Sequence, residues 1–194
     1  MRKDFEIIIS MIKEKSKVLD LGCGEGELLF LLKRRKNIIA KGIERNEKKV
    51  INSLAKGISV FHGDMEDILP QYATRSYDYI ILSLTLHETM NPGKILKETL
   101  RVGKNVIVSF PNFGHWKVRF NVLFKGELSK DVFPEYHWFS KHYVHFITVK
   151  KFECYCKKRG ILILRKIYYN SVPLINKNLF TYYGIYCLQG ISSI

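Results

Sequence analysis

Residues 18–28 read VLDLGCGEGEL: an apolar run, then glycines at every second position, then a second apolar run. A turn of this kind between a strand and a helix aims backbone N–H groups at a ligand, since glycine tolerates positive φ and puts no side chain in the way. The chain is thereby committed to a βα unit with a ligand loop at its carboxyl end, the usual opening of a doubly wound α/β sheet. Two common ligands do not fit that loop. A P-loop would continue into Gly-Lys-Ser/Thr, and a dinucleotide fingerprint would want glycine or alanine where Glu27 stands. Asp20, Glu25 and Glu27 would repel a pyrophosphate, yet they suit a ligand carrying an ammonium and a sulfonium.

Downstream, short β-rich runs alternate with helix-length amphipathic stretches, as helices flanking a mostly parallel sheet require. The strands read KVLDL, IIAKGIE, ISVFHG, YDYIILS, NVIVSF, ILILRKIYY and LFTYYGIYCL, with helices over about 27–36, 46–56, 92–101 and 148–159. The connection between the last two strands is too short for a helical crossover and contains Pro173, so that pair is expected to be antiparallel. Residues 111–147, rich in aromatics and histidine, break the alternation and read as an insertion after the fifth strand.

A chain of 194 residues with 46% apolar content supports a single domain over 1–194. No apolar run approaches the roughly 20 residues of a membrane span, and the first residues lack a secretory cleavage pattern, so the cytoplasm is the expected location. The net charge of +14 raises nucleic acid as a partner, but 23 of the 32 basic residues are Lys and they are scattered. The one cluster, KRRK at 33–36, falls where a helix should end and complements its dipole, so a solvated basic surface is the favoured reading. Cys23, Cys154, Cys156 and Cys187 are too widely spread for a disulfide frame or a zinc site and are read as thiols.

The ligand that joins a nucleoside to an amino acid through a sulfonium is S-adenosylmethionine, with S-adenosylhomocysteine as its demethylated form. Glu44 ends the second strand, where a carboxylate can accept both ribose hydroxyls, and Asp64 follows the third, within reach of an adenine amino group. Each has a plainer explanation: a tight turn at Gly22, Gly24 and Gly26, a solvated strand end at Glu44, a helix N-cap at Asp64. Their occurrence together at the ends of the first three strands favours binding. Cys23, Arg45 and Met65 beside these positions, and Ser83 at the end of the fourth strand, complete the candidate cofactor set with Asp20.

The crevice beyond the strands' carboxyl ends would hold Ser83–Glu88 and Phe110–Trp116 near a reacting methyl group. His87 is the candidate base, its other reading being a surface histidine near a helix start. No Asn-Pro-Pro-Tyr/Phe follows the fourth strand, as nucleic-acid and protein N-methyltransferases would have, and FPNF at 110–113 reads as an insertion turn. His137, His142 and His145 lack the spacing and the carboxylate of a metal site, and no metal is expected.

The stretches VLDLGCGEGELLFLL, GIE, SYDYIILSLTL, ILKETLRVGKNVIVSFPNFGHWKVRF and KGELSKDVFPEYHWF resemble the methionine-biosynthesis MetW family over about residues 15–165, FPNFGHWKVR being the most specific. The resemblance implies the class I S-adenosylmethionine-dependent methyltransferase fold, a seven-stranded sheet of order 3-2-1-4-5-7-6 with the last strand antiparallel. It further implies a role in methionine synthesis beside a homoserine O-acyltransferase, the alternative being a catalytically active methyltransferase on a small molecule. On that basis the aromatic and basic residues of the insertion form either a docking surface for the partner or a lid on the sheet.

Overall fold

The computed structural model describes residues 3–127, 144–169 and 176–190. In chain order the elements are α1 (Lys3–Met11), β1 (Lys17–Leu21), α2 (Glu27–Lys36), β2 (Ile39–Glu44), α3 (Glu47–Ala55), β3 (Ser59–His62), α4 (Met65–Ile68), β4 (Tyr77–Ser83), α5 (Pro92–Val102), β5 (Gly103–Pro111), α6 (Trp116–Lys125), α7 (Val149–Lys158), β6 (Leu162–Tyr169), α8 (Lys177–Phe180) and β7 (Tyr183–Gln189). The sheet runs β3-β2-β1-β4-β5-β7-β6. Strands β1 to β5 are parallel to one another, and β7 is antiparallel to both β5 and β6. This is the α/β doubly wound sheet, order and final antiparallel strand included, that the sequence led us to expect.

Alternation along each strand divides the core between the two sheet faces. On one, Leu19, Leu21, Ile80, Leu82, Val106, Val108 and Phe110 meet Ile95 and Leu96 of α5 and Phe152 of α7. On the other, Val18, Tyr79, Ile81, Ile107 and Ile185 meet Phe5, Ile8, Ile9 and Ile12 of α1 and Leu28, Leu29 and Leu32 of α2. Helix α2 ends on Lys33, Arg34, Arg35 and Lys36, in its last turn, with Asn37 in the left-handed conformation as its cap.

β1, α2 and β4 have the bounds expected from sequence. Residues 179–182, expected in the last strand, are not part of it. The Asn176 side chain accepts from the Asn178 amide and nucleates α8, which delays β7 to Tyr183. Helices α1, α6 and α8 are additional to the sequence reading, α6 following directly after β5.

Candidate functional site

Gly22, Gly24 and Gly26 all adopt positive φ, at 71°, 57° and 72°. Two of them are required by packing inside the chain. A Cβ on Gly22 would lie 2.8 Å from Thr85 Cγ2, and one on Gly26 would lie 2.9 Å from Ser53 Oγ. A Cβ on Gly24 would meet nothing within 4 Å. Gly24 is therefore where the loop turns bare backbone outward, as a ligand loop must. The loop is tied to β2 by the amides of Gly22 and Cys23, which both donate to the Ile43 carbonyl, at 2.8 and 3.1 Å.

Glu44 fixes the outward corner. Its buried carboxylate accepts the Gly24 amide on Oε2 and the Asn46 amide on Oε1, each at 2.9 Å. Backbone donors thus orient the carboxylate while each oxygen keeps capacity for another hydrogen bond, the arrangement a vicinal diol needs. Cys23 turns its side chain the other way, into the space that Gly42 leaves open. Burial, and after it the Asp20 and Glu44 carboxylates, push its thiol well above the ordinary range, so it acts as a packing residue and offers a ligand only its backbone.

Asp64 is exposed and caps α4, its Oδ1 accepting from the Glu66 amide at 2.8 Å. Capping uses part of a carboxylate's accepting capacity, so the cap and a ligand contact are compatible. The Met65 methyl lies 3.5 Å from the position of a Gly22 Cβ, which brings the end of β3 against the loop after β1. Arg45 is exposed, and its carbonyl accepts from His62 Nε2 at 3.1 Å.

The end of β4 closes the other side. Ser83 Oγ donates to Asp4 Oδ2 at 3.3 Å. Leu84 holds the left-handed conformation at φ 56°, which costs a non-glycine residue roughly 1–2 kcal/mol. Its amide donates to both the carbonyl and the hydroxyl of Ser109, each at 3.1 Å, which offsets that strain. His87 is only 8% exposed, so the surface-histidine reading does not hold. Burial, and secondarily His145, lower its pKa to about 4, leaving a neutral imidazole at pH 7. Its Nδ1 is buried with no hydrogen-bond partner among the described residues. His145 is held against it, its amide donating to the His87 carbonyl at 2.8 Å and its Nε2 to the Thr89 carbonyl at 3.0 Å.

The FPNFGHW stretch is a structural joint. The fully buried Asn112 side chain donates to the Asn178 and Thr181 carbonyls, both at 2.9 Å, and accepts from the Gly114 and Val149 amides at 3.0 and 3.2 Å. One side chain thus joins β5, α7 and α8, and of the FPNF stretch read as a turn the first half belongs to β5, which runs to Pro111. His115 caps α6 through Nδ1, which accepts from the Lys117 amide, and its ring lies 4.1 Å from that of Tyr182. His137, Trp138 and His142 lie outside the described residues, among which no His, Cys, Asp or Glu group could hold a metal ion.

Sequence reasoning missed Asp4, Ser109 and the role of Asn112. Asp4 had a signal: it falls on the stripe of Phe5, Ile8, Ile9 and Ile12, an acid on the buried face of a helix. Asn112 had none, since its partners lie up to 69 residues away.

The sequence model of the family described as methionine biosynthesis protein MetW matches residues 2–188. A bifunctional methionine biosynthesis protein MetXA/MetW of Rhodopirellula baltica is 34% identical over 135 residues, 66% of this chain and 22% of that one. The chain therefore spans less than a quarter of the curated relative it matches. Among solved structures, an S-adenosylmethionine-dependent methyltransferase of Methanosarcina mazei superposes with a TM-score of 0.68 at 16% identity, covering 95% of this chain and 97% of that one. One from Mesorhizobium loti gives 0.67 at 13%, covering 95% and 96%. At these identities the likeness establishes the class I methyltransferase fold and says nothing of activity.

Proposed function

Because the chain belongs to the MetW family of methionine biosynthesis proteins, we propose that it binds S-adenosylmethionine or S-adenosylhomocysteine beyond the carboxyl ends of β1, β2 and β3, and acts in that synthesis with a homoserine O-acyltransferase. The observation that carries the binding reading is the Glu44–Gly24 corner: a buried carboxylate oriented by backbone amides beside a glycine whose missing side chain faces open space. The carboxylate takes the ribose, Asp64 the adenine amino group, and the Asp20 side of the loop the cationic amino-acid end. Support for the partner comes from the Rhodopirellula relative, which carries MetXA and MetW in one bifunctional chain. Calorimetric titration with both ligands tests the first part, and co-purification with the acyltransferase tests the second. A wild-type chain that takes up neither ligand overturns the first, and one that never co-purifies with the acyltransferase overturns the second.

One observation favours a second reading, methyl transfer to a small molecule. His87 is buried in the turn that follows β4, with Nδ1 unpartnered among the described residues, so its neutral imidazole can accept a hydrogen bond from a methyl acceptor and position it, while the burial that lowers its pKa to about 4 makes it a weak proton acceptor. Turnover that is lost in His87→Gln with ligand affinity intact would support it. Absence of turnover with the acyltransferase and its substrates present leaves the binding role.

A further inference from the structure

Helix α3 is not seated by hydrophobic burial alone. Its largest apolar side chains, Ile51 and Leu54, are 58% and 53% exposed, while Val50 and the fully buried Ser53 face inward. A serine within a helix commonly turns its hydroxyl to solvent or back to a carbonyl of the preceding turn. Ser53 does neither: its Oγ donates to the Gly24 carbonyl at 3.0 Å, across 29 positions of chain. Space there is short, since a Cβ on Gly26 would lie 2.9 Å from the same Oγ. Alanine would satisfy that limit equally well, so the hydroxyl is what distinguishes the residue present.

Two neighbours hold the next loop residue. Asn52 Nδ2 donates to Glu25 Oε1 at 3.2 Å, and Lys56, the cap of α3, donates from Nζ to the Glu25 carbonyl at 2.8 Å. Glu25 is thereby drawn onto α3. Gly24 itself is held from both sides, its amide by Glu44 Oε2 at 2.9 Å and its carbonyl by Ser53. A glycine at φ 57° whose missing Cβ would meet nothing within 4 Å has wide backbone freedom, so these two bonds, and not packing, set its peptide planes. Releasing the carbonyl frees the Gly24–Glu25 peptide to rotate, and the Gly24 amide then loses its fixed aim at Glu44.

We infer that Ser53 is a positioning residue of the ligand site: by holding the Gly24 carbonyl it keeps the Gly24 amide on Glu44, and so keeps that carboxylate aimed at the ribose hydroxyls. This rests on the S-adenosyl reading above and deepens it, by placing control of the ribose contact on a buried residue of α3.

The test asks whether Ser53 acts through the ribose. Calorimetry would compare S-adenosylhomocysteine with its 2′,3′-dideoxy analogue, which lacks both ribose hydroxyls, on wild type and on Ser53→Ala. Wild type should bind the analogue about tenfold or more weakly than the parent ligand. Ser53→Ala should lose about fivefold or more in affinity for S-adenosylhomocysteine and stay within about twofold for the analogue, so that the two ligands become nearly equivalent. A general loosening of the fold would weaken both alike and leave their ratio unchanged. Equal S-adenosylhomocysteine affinity in wild type and Ser53→Ala therefore overturns the assignment, and so does an equal loss of both ligands, which marks a merely structural role. If Ser53→Ala does not fold, Ser53→Cys, which keeps only a weak donor at the same place, is judged by the same measurements. A loss confined to S-adenosylhomocysteine supports the assignment, and no loss or an equal loss of both overturns it. Wild-type protein that binds the two ligands equally overturns the ribose contact and this assignment with it, whereas wild-type protein that binds neither removes the S-adenosyl reading itself.

Discussion

Glu44 and Gly24 are joined by a 2.9 Å hydrogen bond from the loop amide to Oε2, so the group assigned to the ribose also shapes the loop. Glu44→Ala would remove the proposed ribose contacts and would free the Gly24 and Asn46 amides. Glu44→Gln keeps the length of the side chain but sets an NH2 group against one of those amide donors. Charge-assisted hydrogen bonds contribute on the order of 1.5–3 kcal/mol each before water compensates. We expect S-adenosylhomocysteine affinity to fall by about 10–100-fold in both variants, as read by calorimetry. Unchanged affinity in Glu44→Ala would remove the ribose assignment.

The glycines of the loop should separate stability from binding. Gly22→Ala forces a methyl group against Thr85, whereas Gly24→Ala meets no atom and carries only the left-handed penalty of about 1 kcal/mol. Thermal denaturation should therefore rank Gly22→Ala clearly below Gly24→Ala. Ligand titration should show Gly24→Ala impaired despite its milder stability loss, because its methyl group enters the space the ligand uses. The reverse ranking in melting temperature would contradict the packing described here.

Asn112 makes four side-chain hydrogen bonds in a fully buried place. Removing them in Asn112→Ala strands two carbonyls and two amides, at about 1–3 kcal/mol for each group left unpaired. We expect destabilisation of about 4 kcal/mol and a melting temperature lower by roughly 8–16 °C for a chain of this length, measured by calorimetry. Asn112→Asp should be nearly as damaging, because it keeps the acceptors but loses both donors. A loss under about 1 kcal/mol would show that the joint between β5, α7 and α8 is held elsewhere.

What could be read from sequence follows the range of the interactions. β1, α2 and β4 were legible to the residue because alternation, glycine punctuation and a basic final turn are local signals. Glu44 was legible as a candidate because it ends a strand, where ligands of such sheets sit. Helix α6 was missed because its apolar residues mostly face outward, so it carries no core-facing stripe to read. The lowered pKa of His87 was not legible either, since it comes from burial in the fold and, after that, from His145, 58 positions on in the chain. Asp4 is not singled out by the sequence reading, although its position on the helical stripe of Phe5, Ile8, Ile9 and Ile12 is a signal.

The buried His87 gives a signed pH dependence. Its ordinary pKa near 6.5 is lowered to about 4 in the fold, so between those values the unfolded chain binds more protons than the folded one. Its contribution is intact above about pH 6.5 and is lost as pH falls toward 4, by an amount on the order of 3 kcal/mol. His145 and Glu88, whose Oε1 lies 3.8 Å from His87 Nε2, are the titratable groups placed against it. Urea denaturation of wild type and His87→Gln across pH 4–7 isolates the effect, since other acid-titrating groups are common to both. The stability difference between the two should shift in favour of His87→Gln as the solution is acidified, and a constant difference would mean that His87 charges freely in the fold.

Helix α6 supplies the last prediction. Its Trp116, Phe120, Leu123 and Phe124 are 43, 48, 76 and 69% exposed, while Val118 alone is buried. Spacings of four, seven and eight residues put these side chains on one face, and Phe120 and Phe124 lie 4.7 Å apart there. Lys117, Arg119 and Lys125 flank it, and the helix contains no acid. Aromatic anchors with a basic rim fit a partner that offers an apolar groove edged by carboxylates, and the homoserine O-acyltransferase is the partner proposed for this chain. The alternative is that the chain covers this face itself. Leu123→Asp and Phe124→Asp distinguish the two, since a charge on an open face leaves the melting temperature within about 2 °C, whereas a charge on a covered one lowers it by several degrees. We expect both variants to fold as wild type, to bind S-adenosylhomocysteine as wild type, and to lose co-purification with the acyltransferase. Retained association in both variants, or a marked drop in their melting temperature, would reassign the face to packing within the chain.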